Sequence, residues 1–138
     1  MTLTLRLIPT ELVPDFWPQL SPYIEVAFQE AGVTEYGLAE AEQYLLAGHW
    51  VAVGVFGEDN HMQGALTICV LSYPHEKMAF VTAIGGRHMT NTSNWEQLRA
   101  ICRDLGCAKL QAYSRESVAR LWKRLGFKHR AILVEADL

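Results

Sequence analysis

Leu3, Leu5 and Leu7 alternate with Thr2, Thr4 and Arg6, the two-residue period of a strand with one buried face, until Pro9 ends the run. Phe16, Leu20, Ile24 and Phe28 then recur every fourth residue, a helical spacing interrupted by Pro14, Pro18 and Pro22. With Ser21 placed to cap a helix and Pro22 to open one, these prolines predict two short helical pieces rather than one straight helix. Residues 31–37 read as a loop, and Leu38, Ala41, Tyr44 and Leu45 form the apolar stripe of a short helix that stops at Gly48. The valine-rich apolar run over 50–56 has the pattern of a buried strand, and Gly57, Glu58, Asp59 and Asn60 turn the chain. Further strands are predicted over 62–71 and 78–84, on either side of a turn at 72–76.

After Gly85 and Gly86, the side chains of Trp95, Leu98, Ile101, Cys102 and Leu105 line one face of a helix that ends at Gly106, and Ser93-Asn94-Trp95-Glu96 has the spacing of a capping box at its start. A short strand over 109–113 follows. Next comes a helix with Val118, Leu121, Trp122 and Leu125 on its apolar stripe, closed by Gly126, and then a last strand over 128–134. Trp122 reads first as a core residue. Three successive strands predict an antiparallel part of the sheet, and the strand-helix-strand crossing from Met78 to Tyr113 predicts a parallel pair. The expected fold class is α/β, with a mixed central sheet flanked by helices in the order β-α-α-β-β-β-α-β-α-β, as one domain over residues 1–138.

At 138 residues, half of them hydrophobic and a fifth charged, the chain suits a single core that folds unaided. A net charge of -3 and a pI near 5.9 leave no basic footprint for nucleic acid. Lysine and arginine are nonetheless concentrated in the last third, from Arg99 to Arg130, a locally positive region suited to a small polyanion. Cys69, Cys102 and Cys107 show neither CxxC pairing nor a histidine at ligand spacing, so reduced, packed thiols and no metal site are expected. No run is long enough to cross a bilayer and no leader pattern opens the sequence, so no membrane partner is expected and the cytoplasm is the expected location.

The order of elements, together with Leu121-Trp122-Lys123-Arg124-Leu125-Gly126-Phe127, resembles the GCN5-related N-acetyltransferase (GNAT) superfamily over essentially the whole chain. In that family the closing helix commonly ends in leucine, tyrosine, a few mostly polar residues and Gly-Phe. The resemblance implies an acyl-coenzyme A-dependent N-acyltransferase, with acetyl-CoA as cosubstrate and an amine of a small molecule or a protein as acceptor. It also implies that backbone amides around Ile84, Gly85 and Gly86 polarise the thioester and that the loop running to Thr92 holds the pyrophosphate, as unpaired amides at a helix N-terminus do. Arg87, Thr90, Asn91 and Thr92 then fall in that loop, with threonines in the two places where the family has small residues. A register built on Gly85 and Gly86 stays open, as does the reading that these glycines end a strand and Thr90 to Ser93 cap a helix.

The family's acid is often a tyrosine on the last helix, and that place is held here by Trp122, whose indole does not release a proton at usable pH. The strand over 78–84 carries no carboxylate or histidine for the usual base. Tyr113 or Ser114 as acid, and Glu76, His75 or His88 as base, are the candidates to fill the two roles. Arg115, where the family often has an asparagine on coenzyme A, is a candidate phosphate partner. Glu35 and Glu76, in loops expected to flank the cleft, are the groups that would draw an amine. The alternative is a catalytically reduced protein of the same fold that acts by binding another protein. The oligomeric state stays open, a homodimer included.

Overall fold

A computed structural model of the chain describes residues 2–86 and 91–138. Five strands form one sheet in the order β1 (Thr4–Ile8), β2 (Trp50–Phe56), β3 (Met62–Ser72), β4 (Lys77–Gly86) and β5 (Lys109–Gln111). The first four are joined antiparallel, and β4 and β5 run parallel, as the element order predicts. Helices α1 (Val13–Ala31) and α2 (Leu38–Leu46) cover one face, where Leu20, Ile24, Phe28 and Leu45 pack on Trp50, Ala52, Ala65 and Ala83. Helix α3 (Thr92–Asp104) covers the other through Leu98 and Cys102, against Leu3, Leu5, Val53, Leu66, Ile68 and Val81. No helix among the described residues is long and apolar enough to cross a membrane.

Four expectations need correction. The proline-rich segment is one 19-residue helix, with Pro18 and Pro22 inside it. Pro14, Pro18 and Pro22 are four residues apart and all lie on the exposed side, where water reaches the carbonyls they leave without a donor. The opposite side buries Val13, Leu20, Ile24, Ala27 and Phe28. At about 1.5–3 kcal/mol for each large apolar side chain, that face outweighs a cost of about 3 kcal/mol per interior proline.

The capping box does not form. Helix α3 starts at Thr92, and the Asn91 side chain accepts the Asn94 N–H at 2.8 Å in place of the Ser93 hydroxyl. Trp122 is not a core residue: α4 (Glu116–Trp122) buries none of its side chains, and Trp122 is half-buried against Phe127.

The last expected strand is also absent. Residues 128–134 are irregular and exposed: a strand is completed only by an edge to pair with, and among the described residues no strand pairs with this run. At the far margin, β1 has its free edge met by a side chain. The Leu5 N–H donates to Gln97 Oε1 at 2.8 Å, and Gln97 Nε2 donates to the Leu3 carbonyl at 2.9 Å.

Candidate functional site

The parallel pairing of β4 with β5 is brief: Met78 faces Lys109, Ala79 faces Leu110 and Phe80 faces Gln111. Strand β4 runs on to Gly86 beside β3, and among the described residues the backbone of 81–86 has no strand on its other side. This unpaired β5-side margin of β4 is termed the wedge. In the register with β3, Thr67 faces Ala83 and Ile68 faces Val81, so that Thr82 is an extra residue in β4, two positions past the last one paired with β5. Such a bulge raises the local twist and bends the strand away from its neighbour. The Thr82 hydroxyl is fixed by a 2.7 Å hydrogen bond to the hydroxyl of Thr67, which is buried within an apolar strand.

Beyond the bulge, β4 ends in two glycines that the fold itself requires. A Cβ on Gly85 would lie 2.6 Å from the Tyr23 carbonyl oxygen of α1. Gly86 has φ of 113°, and a Cβ there would lie 2.6 Å from the Gln63 carbonyl oxygen and collide with Gly64. Their missing side chains are therefore used by α1 and β3, and what they offer a ligand is backbone. Ile84 is half-buried on the α3 side. Asn91 caps and Thr92 opens α3. Arg87 and Thr90, with His88, lie outside the described residues.

Tyr113 follows β5, and its ring packs edge-on against Phe80 at 5.1 Å, the last position where the two strands pair. Tyr113 is 70% exposed. Ser114 and Arg115 are exposed beside it, Arg115 at the cap of α4. Glu76 is not brought to this place. It pairs with Lys109 at 3.0 Å where β4 and β5 begin, and the strand from Lys77 to Ile84 spans about 23 Å. His75 is exposed in the same turn.

On the other face, Phe28, Tyr36, Trp50 and Tyr44 form a chain of ring contacts at 5.0–5.2 Å. A groove of about 220 Å³ opens beside it, lined by Glu25, Phe28, Val33, Tyr36 and Leu38 among others. Burial first, then the Glu35 carboxylate, pushes the Tyr36 hydroxyl above its usual range. The whole α1–α2 layer is acidic: residues 7–50 carry Glu11, Asp15, Glu25, Glu30, Glu35, Glu40 and Glu42 but no lysine or arginine. Most of the lysines and arginines lie instead between Arg99 and Arg130. The clustering of charge along the chain was open to sequence reasoning, and the bulge was not, because only the pairing of β3 with β4 makes Thr82 an extra residue.

No family model matches the sequence, and no curated protein does. Solved structures do match over nearly the full chain. An aminoglycoside acetyltransferase from an uncultured soil metagenomic sample superposes with a TM-score of 0.71 at 15% identity, over 100% of this chain and 99% of that one. Another aminoglycoside acetyltransferase of metagenomic soil origin, in complex with sisomicin, gives 0.70 at 14% identity, over 99% and 96%. A predicted acetyltransferase with acetyl-CoA from Clostridium acetobutylicum gives 0.67 at 11%, over 99% and 96%. The fold is thus that of the GCN5-related N-acetyltransferases, carried by a divergent sequence. At these identities the likeness is one of fold alone.

Proposed function

We propose that the chain is an acyl-coenzyme A-dependent N-acyltransferase, moving an acetyl group from acetyl-CoA to an amine of a small molecule or a protein. The observation that carries this reading is the wedge beside residues 81–86, on a fold whose solved examples include an acetyltransferase with acetyl-CoA. In this reading the backbone of Ile84, Gly85 and Gly86 receives the thioester end. The start of α3 at Asn91 and Thr92, with Arg87 and Thr90 just before it, takes the pyrophosphate. Arg115 supplies a further cation.

As the amine nitrogen bonds to the acyl carbon, the carbon–sulfur bond breaks. The ammonium proton leaves to water, and Tyr113, with Ser114 next to it, gives a proton to the departing sulfur. Glu76, held by Lys109 at the far end of the strand, takes no part. The acidic aromatic layer of α1 and α2 suits a cationic acceptor, as charge complementarity steers an ammonium group toward carboxylates.

The test is release of coenzyme A thiol from acetyl-CoA over a panel of amines, polyamines and lysine peptides. Acceptor-dependent release, with kcat lowered in Tyr113→Phe, is expected. If no acceptor is acetylated, the second reading gains: a catalytically reduced protein of this fold that binds another protein. Trp122 in the family's tyrosine place favours that reading, since an indole N–H is a donor only.

A further inference from the structure

Helix α3 ends in a pair of hydrogen bonds that sets two cysteines side by side. The Gly106 N–H donates to the Arg103 carbonyl at 2.9 Å, and the Cys107 N–H reaches past it to the Cys102 carbonyl at 3.0 Å. Gly106, with φ of 85°, supplies the left-handed residue that this ending needs. The side chains at its two outer places, held here by Cys102 and Cys107, commonly pack on each other. Both thiols lie in one buried cluster on the α3 side of the sheet, at 5% and 8% exposure. Cys69, the remaining cysteine, packs on the α1–α2 side, so the sheet separates it from the pair.

The two thiols are unequal. Burial, then the neighbouring Cys107, raises the Cys102 thiol, whereas at Cys107 the Lys77 ammonium works against the effect of burial. The Lys77 side chain lies over Gly106, with its Nζ 4.0 Å from the place a Cβ would take. Cys107 also stands beyond the last turn of α3, while Cys102 is inside it. The thiolate, which is the reactive form, is therefore reached first at Cys107.

We propose that Cys102 and Cys107 form a modification site for peroxide, a dithiol that closes to a disulfide within one chain. In the first step the Cys107 sulfur bonds to one oxygen of hydrogen peroxide as the O–O bond breaks, and the other oxygen leaves as water. In the second, the Cys102 sulfur bonds to the Cys107 sulfur, the S–O bond breaks, and that oxygen leaves with the thiol's proton as a second water. Two thiols and one peroxide thus give one disulfide and two waters. The Ala108 N–H is already bound to the Lys77 carbonyl at 2.9 Å, so the bridge would fasten the end of α3 where β4 and β5 begin. It lies at the other end of α3 from Asn91 and Thr92, and its closure does not depend on the proposed reaction.

The test treats the folded, unaltered chain with hydrogen peroxide at neutral pH, blocks free thiols with iodoacetamide and digests with trypsin in the absence of reductant. Arg103 lies between the two cysteines, so cleavage after it separates residues 100–103 from residues 104–109 unless a disulfide joins them. The expected result is a joined pair of peptides that dithiothreitol releases, from a chain that still runs as a single copy and keeps Cys69 open to alkylation. Peptides that stay separate, with Cys107 either alkylated or carried on to a sulfinic acid, would overturn the proposal, and so would a bridge from either residue to Cys69. The order of steps is read from single variants: Cys102→Ser should stop at a sulfenic acid on Cys107 that dimedone traps, and Cys107→Ser should leave Cys102 reduced. The opposite pattern would refute the assignment of Cys107 as the thiol that peroxide meets.

Discussion

At the bulge one hydroxyl pair joins β3 to β4, and its energetics give a sharp prediction. Thr67 is fully buried, Thr82 is half-buried, and their oxygens lie 2.7 Å apart. Valine keeps the branched shape of threonine and removes only the hydroxyl. In Thr67→Val, the Thr82 hydroxyl loses its partner but reaches water, and the expected cost is about 1 kcal/mol, the net worth of an ordinary hydrogen bond. In Thr82→Val, the Thr67 hydroxyl is orphaned where water does not reach, and the expected cost is about 1–3 kcal/mol. Removing both hydroxyls leaves nothing unsatisfied, so the double variant should be close to the unaltered protein and more stable than Thr82→Val alone. Urea unfolding of all four proteins measures this, since each kcal/mol moves the midpoint by about 0.3–1 M. The reasoning is refuted if the two costs add within about 0.5 kcal/mol, or if Thr67→Val proves the more damaging single change.

Three further outcomes follow from individual residues. Gln97→Ala should cost about 1–3 kcal/mol by leaving the Leu5 N–H and Leu3 carbonyl without partners, and Gln97→Glu should restore only the first, which urea midpoints will separate. Gly86→Ala should destabilise well beyond Gly126→Ala in thermal melts. Both have positive φ, but an added Cβ collides with β3 at Gly86 and meets open space at Gly126. Burial, then Cys107, pushes the Cys102 thiol up to about 11. The unfolded chain therefore loses this proton first, and stability that is whole below the ordinary thiol pKa, near 9.0, is lost as pH climbs toward about 11. The advantage of the unaltered protein over Cys102→Ala should narrow across that window, and a pH-independent gap would contradict the assignment.

Local pattern carried most of the fold. The strand over 50–56 has the bounds its valine run implies, and Gly48, Gly106 and Gly126 close the elements before them. Where the sequence misled, the deciding partner lay far along the chain. Whether the prolines break α1 depends on which face meets solvent. Whether residues 128–134 become a strand depends on an edge that this run does not itself contain. Gln97 meets β1 more than ninety residues away. For the candidate site, Tyr113 meets Phe80, where the β4–β5 pairing stops, because β5 is parallel to β4, and Glu76 lies at the opposite end because it precedes β4 while Ile84 lies near its end. That difference was legible from strand direction. The register that makes Thr82 a bulge was not, since it is a property of two strands together.

The central claim, that acyl-coenzyme A lies in the wedge between β4 and β5, is tested most directly by following backbone amide chemical shifts during titration with acetyl-CoA. The largest changes should fall on residues 82–86 and on Asn91 and Thr92, with smaller ones at Tyr113. Millimolar ligand that shifts none of these, or that shifts only residues remote from the wedge, would contradict it.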